Sequence, residues 1–435
     1  MTPITTDNVT PASQFDWRRW GKYAAYAIAL AAATAWLGPL LADKQGFRIV
    51  QTTIAGLLVG GVYALIALGI VVINKSSGVF NFAQGGMMMV GGFLFFSFFT
   101  VFDVAVGISM LVAIVLVVMI ITMTGWRGLR NPKYLIMGAV AVAALTVLMT
   151  ISAGNYPWLK DVNPDFHKWL AESNKTLRWV HSFSGALVGT VLLGLVIERF
   201  TIRPLIGQPL FTAVLMTLAL SEVLNGLTLL VWGSQPTALL VFAEANPIGV
   251  EQRLQPIRVN TIDFLGAHID VAERLGGQIS IDQPRLYAFG FSILAFVAFW
   301  LFFRFTTVGL AMRATSENQR LAQSAGLRVR VILAIAWAVA ALLTGIAGTL
   351  HGGAAQLDTN MQYLALRAFP AVLLGGLESV EGAFVGGIAI GFTEEFAKLM
   401  FSGEVGEQLA PYVVLMIVLV IRPDGLFGQK RIERI

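Results

Sequence analysis

Long runs of apolar residues recur along almost the whole chain, and they constrain its fold more than any other feature. A run of about 20 apolar residues crosses a lipid bilayer as one α-helix. Hydrophobic residues make up 56% of the 435 residues and charged residues only 13%, against about 25% charged in a typical soluble protein. A soluble fold could not bury so much apolar surface. We therefore predict an all-α, polytopic membrane protein with about 11–12 transmembrane helices.

The basic residues indicate how these helices are oriented. The predicted spans lie near residues 22–42, 49–73, 84–101, 104–122, 134–152, 180–198, 210–232, 287–305, 329–350, 361–377, 381–400 and 410–422. Cytoplasmic loops of membrane proteins are rich in Lys and Arg, and placing the amino end in the cytoplasm also places Arg313, Arg320 and Arg422 there. We expect a multi-pass protein of the cell (inner) membrane with both termini cytoplasmic. Two long polar stretches, 153–179 and 233–286, then lie outside.

Two glycine-rich interruptions, at 74–92 and 368–387, cut apolar runs where a membrane helix should continue. A broken helix survives in a membrane only inside protein or beside a polar cavity, and transporters place such breaks beside the permeation path. The two interruptions predict a broken helix in each half of the chain and an inverted repeat. Arg367 with Glu378 and Glu381 brackets the broken span at 361–377, and one of these three could line the pathway. The candidates for lining the path are Asn81, Gln84, Gly375, Gly376 and Glu378.

Ionisable residues at membrane depth supply further candidates, because a charge at the centre of a bilayer is costly and usually faces protein or water. Glu222 lies near the middle of span 210–232, three residues before Asn225 on the same helical face. The pair is a candidate substrate or proton site, and the alternative is a neutral carboxyl group that is hydrogen-bonded between helices. Glu394 and Lys398 have the spacing of an intrahelical pair, which favours a structural role.

The motifs that the sequence lacks narrow the function classes. The chain has no cysteine, which excludes disulfides, thiolate metal sites and cysteine catalysis. The sequence lacks the nucleotide-binding motif Gly-x-x-x-x-Gly-Lys-Ser/Thr, the nucleophile motif Gly-x-Ser-x-Gly and the zinc-binding motif His-Glu-x-x-His. No two of its four histidines have the spacing of metal ligands. We expect no catalytic residue, no metal and no cofactor bound by this chain. Its net charge of +5 is typical of basic cytoplasmic loops, so we expect no nucleic acid as a partner.

Residues 309–326 form the most informative polar stretch. Their pattern predicts a short amphipathic helix on the cytoplasmic side, between two spans, with Gly326 as its C-terminal stop. One side of the helix is apolar and comprises Leu310, Ala314, Leu321 and Ala325. The other side is polar and comprises Arg313, Ser316, Glu317 and Arg320. Arg313 and Glu317 are four residues apart, the spacing of an intrahelical ion pair. The alternative is that this helix lies on the lipid surface. Its apolar face is small and rich in alanine, which suits packing against protein better than immersion in lipid.

Five sequence blocks occur in the same order as in one transporter family. They are Gly60–Gly69 with Asn81–Gly85, then Ile197–Leu205, Arg313–Gly326, Leu374–Ala383 and Arg422–Gly428. On these blocks the chain resembles the H-type (LivH-like) permease subunits of branched-chain amino acid ABC importers. The resemblance covers roughly 49–101, 180–232 and 287–428. The family usually carries His and then Gly-Glu where this chain has Gln84-Gly85-Gly86.

The resemblance implies an importer in which two permeases, surrounded by membrane lipid, form the channel and two cytoplasmic ABC ATPase subunits use ATP to drive it. A periplasmic binding protein would deliver the substrate, and the second permease would be an M-type subunit or another copy of this chain. Helix 309–326 would be the coupling helix in an ATPase groove, with Arg313, Glu317, Arg320 and Gly326 as its candidate residues.

The resemblance also divides the chain. Residues 49–428 would form the permease domain, with two inserted helices at 104–152 and the outer stretches 153–179 and 233–286 as insertions. Residues 1–48 would add a cytoplasmic end and an extra transmembrane helix, and 429–435 would be a cytoplasmic tail.

The implied substrates are branched-chain or related small amino acids, but the sequence leaves alternatives open. An ABC permease for urea, short amides or other small carboxylates stays open, because the binding protein and not the pathway wall can select the substrate. A sugar or nucleoside permease of the same superfamily differs only in motif detail. A secondary transporter that uses Glu222 as its ion site is a further alternative. An intramembrane enzyme would need a nucleophile or metal arrangement, and none stands out.

Overall fold

The computed structural model of the chain describes residues 46–100, 175–205, 208–239, 243–245, 251–259, 261–264, 267–401 and 404–428. The described helices are, in chain order, α1 Gly46–Ser77, α2 Gln84–Thr100, α3 Lys175–Ile197, α4 Leu210–Trp232, α5 Val271–Leu275, α6 Gln283–Phe305, α7 Thr307–Glu317, α8 Gln319–Ser324, α9 Val329–Ala354, α10 Met361–Gly375, α11 Val380–Met400 and α12 Glu404–Ile421. A π-helical turn over Glu198–Ile202 and a 3-10 turn over Arg203–Leu205 follow α3. The predicted spans at 22–42, 104–122 and 134–152 lie outside the described residues, as do the tail 429–435 and the stretch 153–174.

Five helical segments among the described residues are long and apolar enough to cross a membrane. They are Gly46–Ser77, Ser182–Leu205, Phe211–Trp232, Gln283–Phe305 and Val329–Ala354. Two shorter apolar helices, Met361–Gly375 and Gln408–Ile421, accompany them. The predicted all-α, polytopic class is therefore confirmed, whereas the inverted repeat stays a prediction.

Short strands occupy the polar stretch between α4 and α6. They are β1 Ala243–Ala245, β2 Glu251–Arg253, β3 Ile257–Val259, β4 Thr261–Phe264, β5 Ala267–Asp270 and β6 Ile279–Ile281. Strand β1 pairs antiparallel with β2, and β4 pairs antiparallel with β5. The chain divides into two compact units. The smaller unit, Met1–Val50 with Asn260–Ile279, contains β4, β5 and α5, and the larger unit, Gln51–Val259 with Ser280–Ile435, contains the helical bundle.

Helix α9 lies at the centre of the bundle, where it packs against α2, α3, α6 and α7. Helix α2 also packs against α4 and α10. Residues 60–73 of α1 are all buried, in keeping with a segment that is apolar on every side. By contrast, only 17% of the apolar window of α4 and 22% of that of α6 is buried, as expected of helices that face lipid or another subunit.

Both predicted interruptions are present, and each is a turn between two helices. The first, residues 78–83, joins α1 to α2. The second joins α10 to α11 at Gly376, whose φ of +104° is one that glycine adopts readily. The glycine pair Gly386-Gly387 lies inside α11 and does not interrupt it. A Cβ atom on Gly386 would lie 2.0 Å from the carbonyl oxygen of Ala371, so this pair allows α10 and α11 to pack closely.

The prediction of one helix over 309–326 is wrong, because α7 and α8 are separate helices. Asn318 lies between them in an extended conformation, with φ −158° and ψ 106°. Its side-chain oxygen accepts a hydrogen bond from the backbone N–H of Leu321 at 3.1 Å. Asn318 therefore caps α8, a position that asparagine favours over the interior of a helix.

The predicted stop at Gly326 is confirmed. Gly326 has a φ of +84°, and its N–H donates to the carbonyl of Gln323 at 3.0 Å. The N–H of Leu327 donates to the carbonyl of Ala322, also at 3.0 Å. These two bonds form the Schellman pattern that commonly ends a helix at glycine.

Candidate functional site

A polar cavity of about 620 Å³ lies in the larger unit at the end of α9 farthest from α7. We call it the main cavity. Its polar lining comprises His351, Asp358, Asn360, Arg367, Gln408 and Tyr412, from α9, the following loop, α10 and α12. A smaller cavity of about 170 Å³, the side cavity, adjoins it, because His351, Leu364 and Arg367 line both. The two cavities together reach from the end of the bundle into its interior.

The side cavity is lined by a charged cluster, which we define as Tyr63, Arg367, Glu394, Glu395 and Lys398. The Tyr63 hydroxyl donates to Oε2 of Glu394 at 2.5 Å. Oε1 of Glu394 lies 3.4 Å from Nη1 of Arg367 and 3.5 Å from Nζ of Lys398. Oε1 of Glu395 lies 2.8 Å from Nζ of Lys398. The cluster thus joins two carboxylates, two cations and a phenol from α1, α10 and α11.

We expect the charged cluster to lie at membrane depth, because Tyr63 is near the middle of α1, which is long and apolar enough to cross a membrane. Glu394 is roughly 20 Å along α11 from its start, at about 1.5 Å per residue, whereas a bilayer's hydrocarbon layer is about 30 Å thick. Tyr63 is a similar distance from the end of α1 at Ser77. Ionisable side chains at this depth face a protein interior or water and commonly mark substrate or ion pathways. The cluster is therefore the leading candidate for a functional site in the described part of the chain.

The remaining wall of the side cavity is largely apolar. Apart from Arg285 and His351, it is formed by Leu58, Val59, Val62, Ala288, Ala354, Ala355 and Leu364. Charges of both signs thus lie beside an apolar surface within one enclosed volume. Such a lining suits a small molecule that carries both charges and an apolar group.

Asn81 and Gln84, two of the predicted path residues, belong to a packed layer and not to either cavity. Both are completely buried. Nδ2 of Asn81 donates to Oε1 of Gln84 at 2.7 Å, and Nε2 of Gln84 donates to the hydroxyl of Thr344 on α9. These hydrogen bonds satisfy the buried amides and tie the turn before α2 to the centre of the bundle.

Gly375, Gly376 and Glu378 lie at the opposite end of α10 from the main cavity. The N–H groups of Leu426 and Phe427 donate to the carbonyls of Leu374 at 2.8 Å and of Gly375 at 3.0 Å. The last described segment therefore caps α10, and two of the five family-like blocks meet in space. Nζ of Lys75 donates to the carbonyl of Glu378 at 3.0 Å, which ties this turn to the end of α1.

Glu222 and Asn225 also lie outside both cavities. Glu222 is exposed on α4, and among the described residues it has no hydrogen-bond or ion-pair partner. Asn225 is half-buried, and its Oδ1 accepts no hydrogen bond within the described ranges. The two residues are not part of the charged cluster, and their role in a path stays a prediction.

The residues predicted to contact an ATPase differ in their exposure and in their partners. Arg313 is half-buried, and its guanidinium donates to the carbonyls of Phe303 and Arg304. It thereby caps the end of α6, and the expected pair with Glu317 does not occur among the described ion pairs. Glu317 is exposed at the end of α7. The side chain of Arg320 lies outside the part of the chain that the structure describes.

Comparison with known proteins gives the family. The family model described as "Branched-chain amino acid transport system / permease component" matches residues 133–421, which is more than half of the chain. The chain belongs to this family. The permease is accordingly a multi-pass membrane protein, in agreement with its apolar helices.

Individual relatives cover most of the permease at low identity. It is 23% identical to the high-affinity branched-chain amino acid transport system permease protein LivH of Escherichia coli (strain K12), over 90% of this chain and 100% of the relative. It is also 23% identical to BraD of Pseudomonas aeruginosa, a protein of the same description, over 89% of this chain and 99% of the relative. A partial match is YtfT, a galactofuranose transporter permease of E. coli, which is 28% identical over 39% of this chain and 56% of the relative. No solved structure matches the permease.

Sequence reasoning found part of the charged cluster. It predicted the Glu394–Lys398 pair, which is confirmed. It grouped Arg367 with Glu378 and Glu381 around the broken span, and it did not predict the pair that Arg367 forms with Glu394. It missed Tyr63, which is 331 residues from Glu394 in sequence. A tyrosine within an otherwise apolar run needs a partner for its hydroxyl when buried, and that was the available signal.

Proposed function

We propose that this permease carries small amino acids with apolar side chains, branched-chain amino acids among them, into the cell. The observation that carries the proposal is the charged cluster, which offers cations and carboxylates beside an apolar wall in one cavity at membrane depth. A zwitterionic amino acid presents the complementary set, namely a carboxylate, an ammonium group and an apolar side chain. The names of the full-length relatives support the same substrate class.

The alternative substrates match the cavity less well. Urea and short amides are neutral, and a small carboxylate carries one charge, so none of them uses both signs of the cluster. The match to a galactofuranose permease covers only 39% of the chain, and a sugar is neutral as well. A secondary transporter built on Glu222 gains no support, because Glu222 lies outside the cavities.

We further propose that ATP hydrolysis by partner subunits drives transport, and that α7 and α8 form the contact. Leu310 and Leu321 on these helices are 60% and 67% exposed, and Glu317 is exposed between them. Exposed leucines at the end of a bundle mark an interaction surface. Two cytoplasmic ABC ATPase subunits would bind there and use the ATP. A second permease, of M-type or a copy of this chain, and a periplasmic binding protein would complete the importer.

The test is uptake of radiolabelled leucine by cells that lack their own branched-chain amino acid transport and express the permease with its partner subunits. We expect isoleucine and valine to compete, and urea, acetamide and ribose not to compete. Uptake should stop when ATP is depleted and persist when the proton gradient is collapsed at constant ATP.

Two results would contradict the proposal. Uptake of urea or ribose without uptake of leucine would assign another substrate class. Leucine uptake that survives ATP depletion but stops with the proton gradient would identify a secondary transporter.

A further inference from the structure

We infer that the Arg367–Glu394 ion pair is the receptor for the two charges of the substrate and that it binds by exchanging partners. The substrate carboxylate would pair with Arg367, and the substrate ammonium would pair with Glu394. The inference rests on the proposed function and deepens it, because it requires a ligand with both charges. Binding of both charges by this pair would make the permease itself selective for zwitterions, in addition to any binding protein.

The geometry of the pair favours exchange. Oε2 of Glu394 is held by the Tyr63 hydroxyl at 2.5 Å, whereas Oε1 lies 3.4 Å from Arg367 and 3.5 Å from Lys398. Charge-assisted hydrogen bonds are typically about 2.7–2.9 Å long. The carboxylate is therefore anchored on one oxygen, and its other oxygen is shared between two cations at longer distances.

An ion pair elsewhere in the bundle shows the contrast. Arg203 binds Glu198 through two hydrogen bonds, of 3.0 Å from Nε and 2.8 Å from Nη2. This two-pronged geometry is the strong form of an arginine–carboxylate pair. Neither Arg203 nor Glu198 lines the main or the side cavity. The tight pair is thus away from the cavities, whereas both members of the longer Arg367–Glu394 pair line the side cavity.

Arg367 is positioned to meet a ligand first. Its side chain lines both cavities, whereas Glu394 lines only the side cavity. The side chain of Arg367 is 23% exposed and that of Glu394 only 4%. A carboxylate that enters through the main cavity therefore reaches Arg367 before the ligand's ammonium group reaches Glu394. The apolar wall of the side cavity then receives the ligand's side chain.

Partner exchange keeps every buried charge paired. Removing one member of a buried ion pair is costly because it leaves the other charge uncompensated. A zwitterion replaces both members at once. Leucinamide, which lacks the carboxylate, and 2-oxo-4-methylpentanoate, which lacks the ammonium group, each replace only one member of the pair.

The experiment measures binding of tritiated leucine to the full chain in lipid nanodiscs, without a binding protein, by scintillation proximity. For the wild type we expect both analogues to compete at least tenfold more weakly than leucine. Arg367→Gln should bind leucine at least tenfold more weakly and should shift the preference toward leucinamide, because Glu394 then keeps only Lys398 of its two cations. Glu394→Gln, which keeps a hydrogen-bonding group for Tyr63, should shift the preference to the oxo acid. Direct binding of labelled analogues measures the two shifts.

Asp424→Asn is the control, because it makes the same carboxylate-to-amide change at an exposed residue that lines neither cavity. It should keep the preference for leucine. Equal competition by all three ligands in the wild type, or an equal loss of all ligands in both monodisperse variants, would overturn the inference. If a variant does not fold, the competition in the wild type still decides. Absence of leucine uptake by wild-type cells would instead overturn the proposed function.

Discussion

Gly376 shows how a single residue sets the turn between α10 and α11. Its φ of +104° lies in the region that L side chains rarely adopt. A Cβ atom there would also lie 2.7 Å from the backbone nitrogen of Gly428. The turn and the returning chain end therefore both require a residue without a side chain at this position.

We expect Gly376→Val to lower the unfolding midpoint of the purified permease, because strain of this kind costs about 1–3 kcal/mol. Leucine uptake should fall with the amount of folded protein. Thermal unfolding in detergent measures the change. Gly290→Val is the control, because Gly290 lies within α6 and has no atom within 4 Å of its Cβ position. Equal midpoints for both variants would mean that the turn tolerates a side chain.

At the scale of one element, α7 and α8 differ from the helix that their sequence pattern predicts. The pattern identified a short amphipathic segment and its stop at Gly326 but not the break at Asn318. Asparagine occurs both inside helices and at caps, and only the hydrogen bond to Leu321 decides between these roles. Which side chains of α7 and α8 are exposed also depends on how these helices pack in the fold. Arg313 turns back to cap α6, which leaves Leu310 and Leu321 as exposed side chains.

We expect Leu321→Glu to reduce substrate-stimulated ATP hydrolysis by the assembled importer at least tenfold, because a charge would replace an apolar contact with the ATPase. Insertion of the permease into the membrane should not change. The ATPase rate in proteoliposomes measures the effect. Gln323→Glu adds the same charge at an exposed position of the same helix and should have little effect. Equal losses in both variants would point to an effect of charge, and undiminished stimulation in Leu321→Glu would place the contact elsewhere.

At the scale of the whole molecule, α9 separates the two ends of the bundle. Its 26 residues give a length of about 39 Å at 1.5 Å per residue, which is sufficient to cross a bilayer. The α7–α8 segment precedes α9, and the main cavity lies at its other end. We therefore expect the two sites of interest to lie on opposite sides of the membrane.

The absence of cysteine makes this arrangement simple to test. We expect Gln356→Cys, an exposed residue just beyond α9, to react with a membrane-impermeant thiol reagent added to intact cells. Gln323→Cys, an exposed residue before α9, should react only after the membrane is permeabilised. The reverse labelling pattern would show that the cavity opens to the cytoplasm and that the orientation from the basic residues is wrong.

The sequence by itself determined the class of the protein, because runs of apolar residues leave a chain no alternative to membrane helices. It also determined the two interruptions, since glycine and short polar residues favour turns wherever they occur. These are local properties. Each depends on residues that are close in sequence and on the solvent that surrounds them.

Only the tertiary structure decided which polar residues share a site. Asn81 and Gln84 had the types expected along a path, yet they pair with each other and with Thr344 inside the packed centre. Tyr63 and Glu394 come together from opposite ends of the chain. Such partners depend on the packing of α1 against α11, and the spacing of residues along either helix carries no information about the rotation and height of the other.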